Sequence, residues 1–119
     1  MFVNLSNHPS SLWSEQQLAA AKQYGEIVDM EFPFISPSIP DEGLERLVEE
    51  YHSRVLAYGK PVVMLQGEFV FTYRLVKRLK EDGIMVVASS TERVTSEQIE
   101  PDGTTTKVSQ FEFVDFRSY

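Results

Sequence analysis

Apolar and polar residues along this 119-residue chain switch between a two-residue and a helical period, and the switches mark out its elements. Val62-Val63-Met64-Leu65 is an uncharged apolar run without alternation, the pattern of a strand covered on both faces in a parallel sheet. Gln66-Gly67-Glu68 stops it and a helical pattern follows at once, so this stretch reads as half of a βαβ unit. Phe2-Val3-Asn4-Leu5 predicts a short first strand, interrupted by Asn4. After the polar loop Ser6–Ser11, Ser14 and Gln17 form a capping box for a helix reaching about Tyr24, with Trp13 and Leu18 as its staple and Gly25 as its stop. Ile27, Val28 and Met30 alternate partly with Asp29 and Glu31, as in a less buried edge strand. The prolines between Phe32 and Pro40 leave only an extended connection there.

Asp41 is placed to cap a second helix, whose Leu44, Leu47, Val48, Tyr51 and Val55 make one apolar stripe. Glu42, Glu45, Glu49 and Glu50 form its solvated face, and Gly59 ends it. A third helix begins after Gly67 and runs to about Asp82, with Phe69, Tyr73, Val76 and Leu79 as the expected inner stripe. Its Lys77, Arg78 and Lys80 suit the negative end of the helix dipole. Ile84–Ala88 is a second fully apolar strand, and Ser89-Ser90-Thr91-Glu92-Arg93 is expected to leave its carboxyl end as a polar loop. Residues 94–99 and 104–116, rich in Thr and Val, flank Glu100-Pro101-Asp102-Gly103 and predict a β-hairpin. On it Phe111 and Phe113 fall on one face, Val114 and Phe116 on the other. Such a strand needs cover on both faces, in part from a second copy.

The layout βαβαβαβ plus hairpin predicts an α/β domain over residues 1–119, a three-layer sandwich around a mostly parallel sheet, with 91–119 as a C-terminal hairpin extension. The simplest doubly wound order is 2-1-3-4, with a switch point between the first and third strands. An order running 3-2-1 without a switch is the main alternative.

Composition narrows the functional classes. A formal charge of −7 argues against an extended nucleic-acid surface, although a small anion can still be held by backbone N–H groups at helix starts. The chain has no cysteine, no run of roughly 20 apolar residues and no signal-peptide pattern at Met1–Leu5, which together favour the cytoplasm and no membrane. No His, Asp and Glu cluster has metal-ligand spacing, and no dinucleotide, NTP-hydrolysis or nucleophile-elbow motif is present, so no metal and no cofactor are expected.

Candidate chemistry comes from the topology. Loops at the carboxyl edge, near the switch point, bring together Asn7, His8, Ser10, Ser11, Gln66, Gly67, Glu68, Ser90, Thr91 and Arg93. His8 is a candidate general acid or base, or else a loop histidine bonded to backbone ahead of Pro9. Ser10 and Ser11 either meet a phosphate or simply form the turn. Gly67 permits close approach of a ligand or a tight turn. Glu68 has a dipole-stabilised place in the first helical turn. Arg93 is a phosphate partner or the mate of a nearby carboxylate. His52 reads as a partly exposed surface residue.

The start Asn4-Leu5-Ser6-Asn7-His8-Pro9-Ser10-Ser11, a small Rossmann-like body and Ser90-Thr91-Glu92-Arg93 before a hairpin together resemble small CRISPR-associated Rossmann-like proteins. Some members of that wider group, the ring nucleases, bind or cleave cyclic oligoadenylates. The resemblance is one of layout over most of the chain and implies no residue assignment. It implies a homodimer with the ligand across the two-fold axis. It also implies metal-independent cleavage, in which a ribose 2′-hydroxyl attacks the neighbouring phosphate, with His8 and Ser10 as the catalytic candidates of this sequence. The alternative from another class is a non-catalytic, homodimeric interaction or regulatory module, using the proline-rich connection and the hairpin.

Overall fold

The computed structural model describes residues 1–119: β1 (Phe2–Ser6), α1 (Glu15–Lys22), β2 (Ile27–Glu31), α2 (Asp41–Leu56), β3 (Val62–Leu65), α3 (Phe69–Glu81), β4 (Val86–Ile99) and β5 (Thr105–Ser118). A single 3-10 turn at Ser10–Leu12 precedes α1. The strands form one sheet in the order β2-β1-β3-β4-β5. The first three contacts are parallel and β4–β5 is antiparallel, so the expected 2-1-3-4 order holds and the return strand of the hairpin is added at its end. The alternative order is excluded, since β1 pairs with both β2 and β3.

Alternation along β1 and β3 sends side chains to two unequal cores. Val3, Leu5, Val63 and Leu65 meet Val48 and Val55 of α2 and Leu75 and Leu79 of α3 in a cluster of 16 buried residues. Phe2, Met64 and Val87 meet Ala21 of α1 in a cluster of only 4, with Trp13 and Phe116 against it. One short helix therefore covers the second face, and part of the sheet there stays open. No helix is long and apolar enough to cross a membrane.

Local signals explain most boundaries. Ser14 Oγ accepts from Gln17 N at 3.2 Å and starts α1. Asp41 does not cap α2: Pro40 holds the cap position, and the Asp41 carboxylate instead accepts from Arg74 Nη2 at 2.8 Å. Glu45 accepts from Arg74 Nη1 at 2.7 Å, so one guanidinium ties α3 to α2. The bond to Asp41 holds the Arg74 pKa above its ordinary value. His52 is bonded to Asp82 and makes a second tie between these helices.

The inner stripe of α3 agrees with the expected one at Val76 and Leu79 and departs from it at Phe69 and Tyr73. Phe71, Thr72, Leu75, Val76 and Leu79 are buried, whereas Phe69 and Tyr73 are 89% and 69% exposed. Phe69 and Tyr73 lie about half a turn around the helix from Phe71 and Leu75, and both pairs have helical spacing. The Phe71 ring meets Phe32 and Tyr51 edge-on at 5.2 and 5.6 Å, and this contact fixes the phase.

Ser89–Arg93 is likewise not a loop. β4 pairs with β3 only at Val86 and Val87, then runs on as a two-stranded ribbon with β5 through Ile99. β-branched residues and a full antiparallel ladder make strand the better conformation there. A bulge lies between Ser90 and Thr91, where Val114 is the extra residue of β5. It shifts the alternation by one, so Phe113 and Phe116 share a face, their rings 4.9 Å apart, instead of facing opposite ways. Phe113 is buried within the chain, while Phe111 and Val114 are 73% and 52% exposed.

Candidate functional site

The loop after β1 is held by a polar network rather than left free. Asn4, buried in mid-strand, donates through Nδ2 to the His8 carbonyl at 2.8 Å and to Asp29 Oδ1 at 2.9 Å. Ser6 Oγ donates to Asn4 Oδ1 at 2.6 Å and accepts from His8 N at 3.1 Å. Ser10 Oγ donates to Asp29 Oδ2 at 3.0 Å, and its backbone N–H donates to the same carboxylate. Trp13 Nε1 donates to the His8 carbonyl at 3.0 Å. The backbone of His8 is thus fixed from three sides, while its ring has no hydrogen-bond partner in the protein.

A second arrangement follows from the parting of β3 and β4. In a continued parallel ladder Ser89 N–H would donate to the Leu65 carbonyl. Instead Ser89 N and Oγ donate to Gln66 Oε1 at 2.9 and 2.8 Å. The Leu65 carbonyl is met by the Tyr119 hydroxyl at 2.6 Å, and burial raises the pKa of that hydroxyl above the ordinary value. Two side chains therefore satisfy the groups freed where the strands separate, as buried backbone requires. Gln66 is held by its oxygen, and its amide N–H groups have no protein partner.

Between these two structures lies a cleft of about 920 Å³, over the carboxyl end of β3 on the thinly covered face. His8 and Trp13 line one side, Gln16 and Gln17 of α1 another, and Met64, Gln66, Ser89 and Thr91 lie along β3 and β4. Phe111, Glu112 and Phe113 of the hairpin close it. The lining is aromatic and neutral-polar, with one imidazole, one carboxylate and no Lys or Arg.

Of the residues singled out from the sequence, the cleft unites His8, Gln66 and Thr91. Asn7 lies in a separate depression with Asp29 and Glu31. Ser10 is bound to Asp29, and Ser11 sits in the exposed 3-10 turn beside it. Gly67 is packed under the Phe32 ring, into which a Cβ would intrude. Glu68 caps α3, accepting from Val70 N and Phe71 N. Ser90 stands opposite Asp115, out of step with Ser89 and Thr91 and so on the other face of the ribbon. Arg93 is one rung beyond Thr91 on the cleft face, opposite Phe111, and donates to Ser109 Oγ at 3.2 Å. The concave surface expected to unite Asn7, His8, Ser10, Gln66, Gly67 and Arg93 is therefore divided. The expected position of Arg93 rested on a loop that is in fact a strand.

Sequence reasoning missed Asn4, Asp29, Ser89, Trp13 and Phe111 as parts of this region. A polar Asn within an apolar strand was the available signal, because a buried amide needs partners.

Fold and cleft together define a small α/β protein with an open, cation-poor cleft at the carboxyl edge of its sheet. The chain belongs to the Uncharacterized protein MJ1673 family, whose model it matches over residues 1–117. Comparison with curated proteins gives no match, and none comes from solved structures.

Proposed function

We propose that this is a cytoplasmic, Rossmann-like nucleotide-binding protein, of the CRISPR-associated ring-nuclease type, that takes a cyclic oligoadenylate at the cleft and cleaves it without a metal. The observation that carries this reading is the lining of the cleft. Trp13 and Phe113 line it with aromatic rings, Phe111 stands at its outer edge, and Gln16, Gln17, Gln66, Ser89 and Thr91 offer neutral donors and acceptors. Rings stack on a base of any kind, and amides match the donor and acceptor edge of adenine. The phosphates lie toward the rim, where Arg93 stands and where a second copy adds groups across the two-fold axis.

In the cleavage step the ribose 2′-oxygen bonds to the adjacent phosphorus as the bond from phosphorus to the next 5′-oxygen breaks. His8 takes the 2′-hydroxyl proton, and water protonates the leaving oxygen. The product is a linear oligonucleotide with a 2′,3′-cyclic phosphate and a 5′-hydroxyl. The fixed His8 backbone and unpaired ring suit this role, since position must be set while the nitrogen stays free. Ser10, bound to Asp29, has a positioning part at most.

The test is incubation of the protein with cyclic tri-, tetra- and hexa-adenylate, with and without EDTA. Thermal stabilisation and a linear product are expected. His8→Ala should lower turnover by about 10²–10⁴ while changing affinity much less. Equal loss of rate and affinity would make His8 a ligand contact. No stabilisation by any of the three, and no product, would overturn the reading, because a ligand bound only by the folded chain must stabilise it.

A second reading, the homodimeric interaction module, is favoured by Phe69 and Tyr73 standing exposed one turn apart on α3. A dimer by light scattering with no response to any adenylate would favour it.

A further inference from the structure

The face of the hairpin that closes the cleft continues outward past it. Its rungs are Ser89 opposite Phe116, Thr91 opposite Phe113, then Arg93 opposite Phe111. Each rung pairs one aromatic ring with one hydrogen-bonding or charged group. Phe116 packs on Phe2 at 5.0 Å and Phe113 on Phe116 at 4.9 Å, so the inner two rings are anchored to the core. Phe111 belongs to the same series but is 73% exposed, with nothing in the chain to cover it. Farther out on this face Lys107 stands opposite Glu97, whereas Arg93 has no carboxylate opposite it. In a chain of formal charge −7 this puts a cation, held in the chain by Ser109 Oγ and by no carboxylate, beside an open ring at the mouth of a cleft that itself holds none.

We propose that Phe111 and Arg93 form a second nucleotide subsite on the outer lip of the cleft, with a base stacked on Phe111 and the connecting phosphate met by Arg93. The inference rests on the nucleotide reading above and adds to it a requirement on the ligand. One nucleotide fills the inner cleft alone. A ligand of two or more linked nucleotides reaches the lip, one rung or about 6.8 Å farther along the strand. The lip therefore selects oligonucleotides over mononucleotides. A flat ring gives stacking without base preference, and a guanidinium beside it supplies the charge-assisted bond that the inner cleft cannot.

The experiment measures the affinities of AMP, the dinucleotide ApA and cyclic tetra-adenylate, at several salt concentrations, for the parent protein and three variants. Phe111→Ala should weaken ApA and cyclic tetra-adenylate by about 5- to 150-fold and leave AMP unchanged. Phe111→Trp should retain the affinity. Arg93→Gln should weaken the two longer ligands and reduce the slope of log affinity against log salt by about 0.7, as expected for one phosphate contact on a single strand. Phe111 is exposed, so these variants should melt with the parent, and a lowered midpoint for Phe111→Ala would count as a structural role and against the subsite. Equal weakening of AMP and ApA would overturn the proposal, as would no weakening of either. If the parent binds none of the three, the nucleotide reading falls and the lip falls with it. If the parent binds them and Phe111→Ala binds equally well, only the lip falls.

Discussion

The missing side chain of Gly67 lets β3 turn into α3 beneath the Phe32 ring. A Cβ at this position would overlap three atoms of that ring, which is held in turn by Phe71. Gly67→Ala should therefore destabilise the fold by about 1–3 kcal/mol, the usual result of overpacking. Urea unfolding measures this, and adding Phe32→Leu should recover part of the loss if the ring is the cause. An unchanged midpoint for Gly67→Ala would show that the turn has room to spare. The sequence made a close approach at this glycine legible, but not what approaches. Phe32 lies far off in the chain, and a ring of the protein and a ligand make the same demand on Gly67. The same limit applies to Asp29. Its carboxylate reads as the polar half of an edge-strand alternation, yet it binds Asn4 and Ser10 across the β1–β2 contact. Only the parallel register, with Asn4 beside Asp29, brings them together.

At the scale of elements, the break between β3 and β4 decides where the cleft opens. Periodicity found both strands but not their parting, because Ser89–Arg93 lacks the apolar run that marks a buried strand and yet is held as strand by β5. The stripe on α3 holds at Val76 and Leu79 but not at Phe69 and Tyr73 for a related reason: Phe69 with Tyr73 and Phe71 with Leu75 fit opposite sides of one helix, and only packing against Phe32 and Tyr51 chooses between them. The parting itself depends on Tyr119, whose hydroxyl meets the Leu65 carbonyl and whose pKa is raised by burial. A raised pKa fixes the direction of the pH effect. Below the ordinary tyrosine value of 10.0 the hydroxyl is protonated in both folded and unfolded chains, and its contribution is complete. As pH rises past 10.0 toward the folded value, the unfolded chain loses its proton first and stability falls. Tyr119→Phe should be less stable than the parent at neutral pH, by roughly 1–3 kcal/mol if the carbonyl is left unpaired. The gap between the two proteins should narrow above pH 10.0. Urea midpoints from pH 8 to 11 test this, and a gap independent of pH would remove the hydroxyl from the account.

At the scale of the whole molecule, the hairpin makes the chain longer than its mass requires. Its radius of gyration is 17.5 Å and its longest extent 57 Å, whereas a compact chain of this length has a radius near roughly 13.5 Å. The excess is the ribbon beyond Val87, two strands paired only with each other and open at both edges. Such a ribbon is marginally stable in water by itself. Its outer half has few apolar groups to help, and Ile99 at its tip is exposed. Glu92 and Glu112 even face each other directly across the ladder, a pairing that weakens it. In a monomer, the backbone amides of Val94–Ile99 and Thr105–Gln110 should therefore exchange with solvent far faster than those of β1 and β3, which are buried between helices. On the homodimer reading a second copy covers the ribbon, and protection of these amides should rise with protein concentration by mass action while that of β1 stays constant. Hydrogen exchange at low and high micromolar protein separates the two cases. Fast exchange at every concentration would leave the ribbon a free arm and would count against the homodimer as its cover. Strong protection at every concentration would mean either a dimer too tight to dilute or a ribbon steadier than its composition allows. Light scattering on the same samples then decides between them.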